Sequence, residues 1–305
     1  MSHQNLPIER WKYFIDVGIW PKRANFDPIN WMKNFSQDEI PLALRLLDGF
    51  TYFSHELVAQ MFRSAFLNIS QCIVLDKHNY SSAKDEWSSF IDSILVVRVT
   101  GEIPSDADSG FAFARLAREV LNIPERQILS PEEAIAYLHS GRTYHVVFVD
   151  DFVGSGNQFG DTWERKYKLN SFTSTSFKNV ASLTRSNTKY FYCPVICTEL
   201  GRGEVARRCP EVQIVPAHFY GGKHSALTAD SDIWREDMKT EGPEFVRIAS
   251  ERAGIPDLNG DVGCWRGFYK LGLALAFQHG WPDATLPLFY STSNDWRPLL
   301  KKGVV

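Results

Sequence analysis

Little in this sequence is extreme, and each absence removes a class of function. No charge dominates: 33 lysines and arginines stand against 36 aspartates and glutamates, a formal net charge of −3. No global field therefore draws the chain to nucleic acid or to an anionic membrane, and any such contact is local. Cysteine is scarce, five residues in 305, and an odd number spread over a long chain does not suit the disulfide framework of a small secreted domain. A reducing cytoplasm is the expected setting. Residues 1–10 are polar and lack the apolar segment of a signal peptide. Nowhere do eighteen apolar residues follow one another, so no membrane is expected among the partners. Internal repeats and low-complexity linkers are also missing. What the chain has is aromatic residues, nine tryptophans among them, as in a packed globule that could offer a partner surface.

Residues 8–30 mix Trp11, Phe14, Ile19 and Trp20 with Pro21 and Pro28, which predicts short helical or irregular pieces. Ser36 can cap a helix with Glu39 three residues on, and Leu42, Leu44, Leu46, Leu47 and Phe50 follow, so a helix is expected over about 37–50. Leu57, Val58, Met61, Phe62, Ala65 and Phe66 recur at helical spacing and predict a second over 56–66. Residues 1–90 thus read as an N-terminal helical cover, and residues 91–305 as an α/β domain, in one elaborated globule. Within it, 94–100 is short, apolar and β-branched, as a buried strand would be. A polar connection and a helix over 111–121 follow, with Arg115 and Arg118 outward. The same order repeats from 145–150 through a glycine-containing loop into a helix reaching Thr162 and Lys166. Strand-loop-helix units in tandem imply a mostly parallel central sheet. Further strands are expected at 190–197 and 212–217 and a last one at 271–277, leading to a C-terminal strand and turn closure. The charged, broken segment 221–243 reads as an insertion loop.

Two adjacent carboxylates, Asp150 and Asp151, follow the apolar run 146–149, and acid at a strand's C-terminal end stands where ligands bind in open α/β sheets. Crowded charges of one sign call for a sugar diol, a metal ion or cationic side chains. Gly154, Ser155 and Gly156 can bend tightly with their N–H groups inward, and the next helix adds its N-terminal dipole, so the same loop can cradle a phosphate. Acid pair and nest together read as ribose-5-phosphate recognition. In the plainer reading the aspartates only cap a helix and a turn. Gly154, Gly156 and Gly160 also approximate a dinucleotide fingerprint. Four residues separate the strand from the first glycine, however, and no second strand ending in an acid follows over 169–183, which disfavours an NAD-dependent oxidoreductase. Ser109 and Gly110, at a helix start, suit an anion-binding turn as well as an ordinary cap; the neighbouring Glu102, Asp106 and Asp108 would repel a pyrophosphate unless Mg²⁺ intervened. Cys193, Cys197, Cys209 and His218 match no strong zinc spacing and read as buried thiols, so no protein-built metal centre is expected. His218, Tyr220, Lys223 and His224 surround a Gly-Gly pair, either a loop over a site or a solvated turn.

The stretch 146–160 resembles the phosphoribosyl-pyrophosphate loop of the phosphoribosyltransferases: an apolar strand, two acids, two variable residues, then small and hydroxyl residues around a glycine. By that resemblance Asp150 and Asp151 would be the catalytic acids on the ribose hydroxyls. Gly154, Ser155, Gly156 and Asn157 would wrap the 5-phosphate, and Gln158 stands where a threonine or serine is usual. The loop 100–110, with Ser109 and Gly110, would approach the pyrophosphate. Further segments, 31–35, 46–47, 52–54, 192–201, 267–277, 282–288 and 296–299, are similar to the phosphoribosyltransferase-like proteins of PRTase-CE type. These belong to bacterial conflict and anti-phage systems, some of them retron cassettes. Asp283-Ala284 replaces the asparagine-rich turn usual in that group. The resemblance implies an α/β fold of phosphoribosyltransferase (Rossmann-like) type and a glycosyltransferase that takes phosphoribosyl pyrophosphate or a nucleotide with Mg²⁺. It further implies toxicity on release from defence partners, such as a reverse transcriptase with its RNA–DNA product or a helix-turn-helix protein. Gln158, and the lack of an evident catalytic lysine or arginine loop, leave open a catalytically inactive nucleotide-binding sensor or structural subunit.

Overall fold

The computed structural model describes residues 6–21, 25–101, 110–139, 143–169, 173–183 and 187–301. Its strands, among those residues, are β1 (Thr51–Phe53), β2 (Ile94–Arg98), β3 (Ile128–Leu129), β4 (His145–Val153), β5 (Tyr167–Lys168), β6 (Ser174–Thr175), β7 (Tyr190–Thr198), β8 (Val212–Ile214), β9 (His218–Tyr220) and β10 (Leu275–Phe277). The chain divides into two compact units, Val58–Phe219, and Met1–Leu57 with Tyr220–Val305.

The unit Val58–Phe219 is built on a sheet of order β3-β2-β4-β7-β8, and every pairing along that path is parallel. Its inner strands are near-continuous apolar runs, and all nine residues of β7 are buried, as strands covered on both faces require. Helices supply the crossovers. Gly110–Leu121 and Pro131–His139 lie on either side of β3 in the chain, Asn157–Glu164 and Phe177–Leu183 connect β4 to β7, and Glu199–Arg208 connects β7 to β8. One face of the sheet packs Leu95, Val97, Phe148 and Tyr192 against Phe159, Trp163, Phe177 and Val205 of those helices. This is the mixed α/β fold with a mostly parallel sheet that the sequence predicts, and it puts β4 at the centre.

The other unit joins the two ends of the chain in one core, where Trp20, Phe26, Trp31, Leu46 and Phe50 meet Trp234, Phe245, Leu286, Phe289 and Trp296. The indole N–H groups of Trp31 and Trp296 both donate to the Leu288 carbonyl, at 3.1 and 3.0 Å. Trp11, Trp20 and Trp31 are all buried, so these tryptophans serve packing rather than an open partner surface. Two expectations are corrected here. Of the last strand expected over 271–277 only Leu275–Phe277 forms one, and it does not extend the large sheet: β10 pairs in parallel with β1 in a sheet of two strands. The segment 221–243 is no loose insertion, because Ala226, Ile233, Trp234 and Met238 all sit in the core and Gly242 and Pro243 already belong to a helix, Glu241–Arg252.

The helix expected over about 37–50 runs Ile40–Asp48, with Glu39 rather than Ser36 at its N-cap position and no side-chain cap; the Glu39 carboxylate instead accepts from the Ser36 N–H at 2.9 Å. The second is longer than expected, His55–Val74, and by length and composition it could cross a membrane. Val58, Met61, Phe62, Ala65, Phe66, Ile69 and Ile73 are nevertheless buried within the fold, the stripe of a core helix.

Candidate functional site

The strand β4 carries straight through the acid pair and ends at Val153, because the ladder to β7 resumes beyond it, Phe152 opposite Ile196 and Val153 opposite Cys197. The two acids therefore lie near the C-terminal end of the central strand, and their surroundings differ. Asp150 is 2% exposed. Its Oδ2 accepts from the Tyr192 hydroxyl at 2.8 Å, and its Oδ1 from the Asp151 N–H at 3.0 Å. Burial first, then the adjacent Asp151 charge, pushes the Asp150 carboxyl well above the usual aspartate range, against the Tyr192 hydrogen bond, which favours the charged form. Burial and then Asp150 likewise push the Tyr192 phenol up. The Tyr192 ring stacks on Phe159, centroids 4.0 Å apart and planes at 14°. Asp151 is half-buried, and its Oδ1 accepts from the Phe152 N–H at 2.8 Å.

Gly154 and Ser155 are half-buried and Gly156 buried. Gly156 takes φ +83°, left-handed backbone that costs glycine little, and it caps the helix Asn157–Glu164. The Ser155 hydroxyl accepts from the Asn157 N–H at 3.3 Å. Gln158, the second residue of the helix, is exposed. A second helix start holds this turn in place. Thr198 Oγ1 donates to the Gly154 carbonyl and accepts from the Gly201 N–H at 2.9 Å, so one side chain caps Glu199–Arg208 and ties it to the loop. A Cβ on Gly156 would lie 2.7 Å from the Gly201 carbonyl oxygen, and one on Gly201 would lie 2.7 Å from that of Gly154. Further along, Arg208 lies across Gly160 and pairs with Asp161 and Glu164 at 2.7 and 2.6 Å.

The same helix anchors the end of β2. Thr162 Oγ1 donates to the Thr100 carbonyl at 3.0 Å. The Arg165 guanidinium donates to the Thr100 hydroxyl and to the Gly101 carbonyl, both at 2.7 Å. Glu102, Asp106, Asp108 and Ser109 lie outside the described residues; Gly110 opens the helix Gly110–Leu121. The structure thus gathers Asp150, Asp151 and the turn Gly154 to Gln158 at one end of the central strand. Sequence reasoning missed Tyr192, Thr198, Gly201, Thr162 and Arg165, which hold them there. For Tyr192 a signal existed: once β4 and β7 are paired, it lies opposite Phe148, two residues from Asp150 on an alternating strand.

Among the described residues no group of three His, Cys, Asp or Glu side chains is placed to hold a metal ion. Mg²⁺ commonly keeps its waters and is held by one or two carboxylates together with a ligand's phosphates. The half-buried Asp151 fits such a shared ion, and the site suits Mg²⁺ only as a companion of a phosphorylated ligand. Cys193, Cys197 and Cys209 are buried; Cys197 and Cys209 have thiols pushed up to about 12 by burial, and only these two join the core cluster around Tyr192. The His224 ring stacks on Tyr220 at 4.3 Å, and its Nδ1 accepts from the Gly221 N–H, which makes that segment a structured turn.

No curated protein matches the chain. The PRTase-CE family model matches residues 28–302, a span that takes in the central parallel sheet, the acid pair and the glycine turn. The chain belongs to the PRTase-CE family and is a phosphoribosyltransferase-like protein.

Proposed function

We propose that this chain is an effector of a bacterial anti-phage system that binds phosphoribosyl pyrophosphate or a nucleotide and, when released from its partners, transfers or cleaves a glycosyl bond at the ribose anomeric carbon. One arrangement carries the reading: the central strand bears the half-buried Asp151 near its C-terminal end and runs through a Gly-Ser-Gly turn into a helix N-terminus. Backbone N–H groups and the helix dipole at that turn favour a 5-phosphate. The Asp151 carboxylate can accept from a ribose hydroxyl, a charge-assisted bond. Held at both ends, the sugar presents its anomeric carbon in a fixed place, so that binding energy serves positioning. Mg²⁺ bound with the ligand would neutralise pyrophosphate charge. Ser109 and Gly110 would contribute N–H groups to that pyrophosphate. A reverse transcriptase with its RNA–DNA product, or a helix-turn-helix protein, is the kind of partner that would keep such an effector silent.

A second reading, a nucleotide-binding sensor without turnover, draws support from Gln158, whose exposed amide replaces a phosphate-binding hydroxyl, and from Asp150, whose carboxylate is occupied inside the protein. Expression in the absence of partners separates the two. The effector slows growth, and Asp151→Asn relieves the effect at unchanged solubility and melting temperature. Equal toxicity of the variant would overturn the loop as the effector site. A chain that is harmless alone yet required for phage resistance would favour the sensor.

A further inference from the structure

We propose that Tyr192 and Asp150 form a buried positioning pair that fixes the peptide and carboxylate of Asp151, and that Asp151 alone of the two acids touches the ligand; this rests on the ribose-phosphate reading above. Both oxygens of Asp150 have internal donors, the Tyr192 hydroxyl at 2.8 Å and the Asp151 N–H at 3.0 Å. Tyr192 is itself 1% exposed and held flat against Phe159, in the helix that follows the turn. For Asp150 to reach a ribose it would have to leave that phenol and a backbone N–H behind, both in a packed interior where unpaired polar groups are costly. The bond from the Asp151 N–H instead orients the peptide between the two acids, and hence the direction in which the Asp151 side chain leaves the strand. Three elements converge on this one pair: β7 through Tyr192, β4 through Asp150, and the helix Asn157–Glu164 through Phe159. Tyr192 is thus a positioning residue, acting through Asp150 on a contact that Asp151 makes.

The test uses Tyr192→Phe, which keeps the ring stack and removes only the hydroxyl, Asp150→Ala, which removes both acceptors, their double variant, and Asp151→Asn. Amide hydrogen exchange reads the pair without any ligand. In Tyr192→Phe and in Asp150→Ala the amides of Asp151 and Phe152 exchange faster while those of Val146 to Val149 do not change. Calorimetric titration with phosphoribosyl pyrophosphate and Mg²⁺ then reads its consequence. Tyr192→Phe and Asp150→Ala each weaken binding by roughly tenfold, the scale of one lost hydrogen bond. The double variant is no weaker than either, because the two act as one unit, and Asp151→Asn loses more than any of them. Additive losses, or a loss in Asp150→Ala equal to that in Asp151→Asn, would place Asp150 on the ligand and overturn the proposal. If even the parent chain does not bind, the ribose-phosphate reading fails, and the exchange experiment still decides the pair: unchanged exchange at Asp151 in both single variants refutes it.

Discussion

Adding one methyl group at three neighbouring glycines should give three different outcomes, each set by geometry. Gly156 stands at φ +83°, where a Cβ would lie 2.7 Å from the Gly201 carbonyl oxygen. Left-handed backbone costs an alanine about 1–2 kcal/mol, and forcing a side chain against fixed backbone adds about 1–3 kcal/mol. Gly156→Ala should therefore destabilise the protein by about 2–5 kcal/mol. Gly201 carries no left-handed φ, but its Cβ would meet the Gly154 carbonyl oxygen at 2.7 Å and Val153 Cγ1 at 2.8 Å. There the overpacking cost of about 1–3 kcal/mol is offset in part by the helix propensity of alanine, worth up to about 1 kcal/mol over glycine. Gly203, two residues on in the same helix, has nothing within 4 Å of its Cβ position, so Gly203→Ala retains only the propensity gain and should stabilise. Urea denaturation of the three variants, compared at equal m-value, measures these differences. Should Gly201→Ala prove as stable as Gly203→Ala, the close packing of the turn on the second helix start would be refuted.

Two further outcomes follow from the buried groups. The folded-state pKa of Asp150 is raised by burial and by Asp151, so the native state keeps a proton that the unfolded chain has lost. Stability is then greatest near and below the ordinary aspartate pKa of about 4 and falls as pH rises towards the folded value. Asp150→Asn, which cannot ionise, should gain in melting temperature relative to the parent as pH rises from about 4 to 8; a gap that does not vary with pH would show that Asp150 is ionised in the fold. Cys193, Cys197 and Cys209 are buried, with thiols pushed up by burial, and Cys264 is buried too, so native labelling by a maleimide should fall on the half-buried Cys72. Rapid labelling of Cys193 or Cys197 in the native protein would contradict the packing around β7.

What the sequence disclosed follows from the range of the forces involved. The runs 94–100, 145–150 and 190–197 are legible as buried strands because an interior strand is apolar on both faces, and the acid pair with its glycine turn is legible because that chemistry is contiguous. The end of β4 was not legible: two acids interrupt the apolar pattern, and the strand continues because its ladder to β7 resumes beyond them, while Tyr192, 42 residues away, satisfies Asp150. The helix Glu199–Arg208 has few apolar residues, and buries only Gly201 and Val205, so periodicity could not show it; its Thr198 cap looks like the end of a strand. The run 271–277 reads as a strand and forms one only at its end, β10, and nothing local says that its partner is β1 at the other end of the chain. The charge and breaks of 221–243 hide Ile233 and Trp234, which become core only when both chain ends meet.

The turn after β4 is proposed to hold a ribosyl phosphate beside Asp151, and isothermal titration with phosphoribosyl pyrophosphate, with and without Mg²⁺, tests this most directly. The parent chain should bind at one site and more tightly with Mg²⁺, and Asp151→Asn should weaken that binding by roughly ten- to a hundredfold, as the loss of one charge-assisted hydrogen bond of about 1.5–3 kcal/mol requires. Absence of binding by the folded parent, or equal binding by Asp151→Asn, would contradict it.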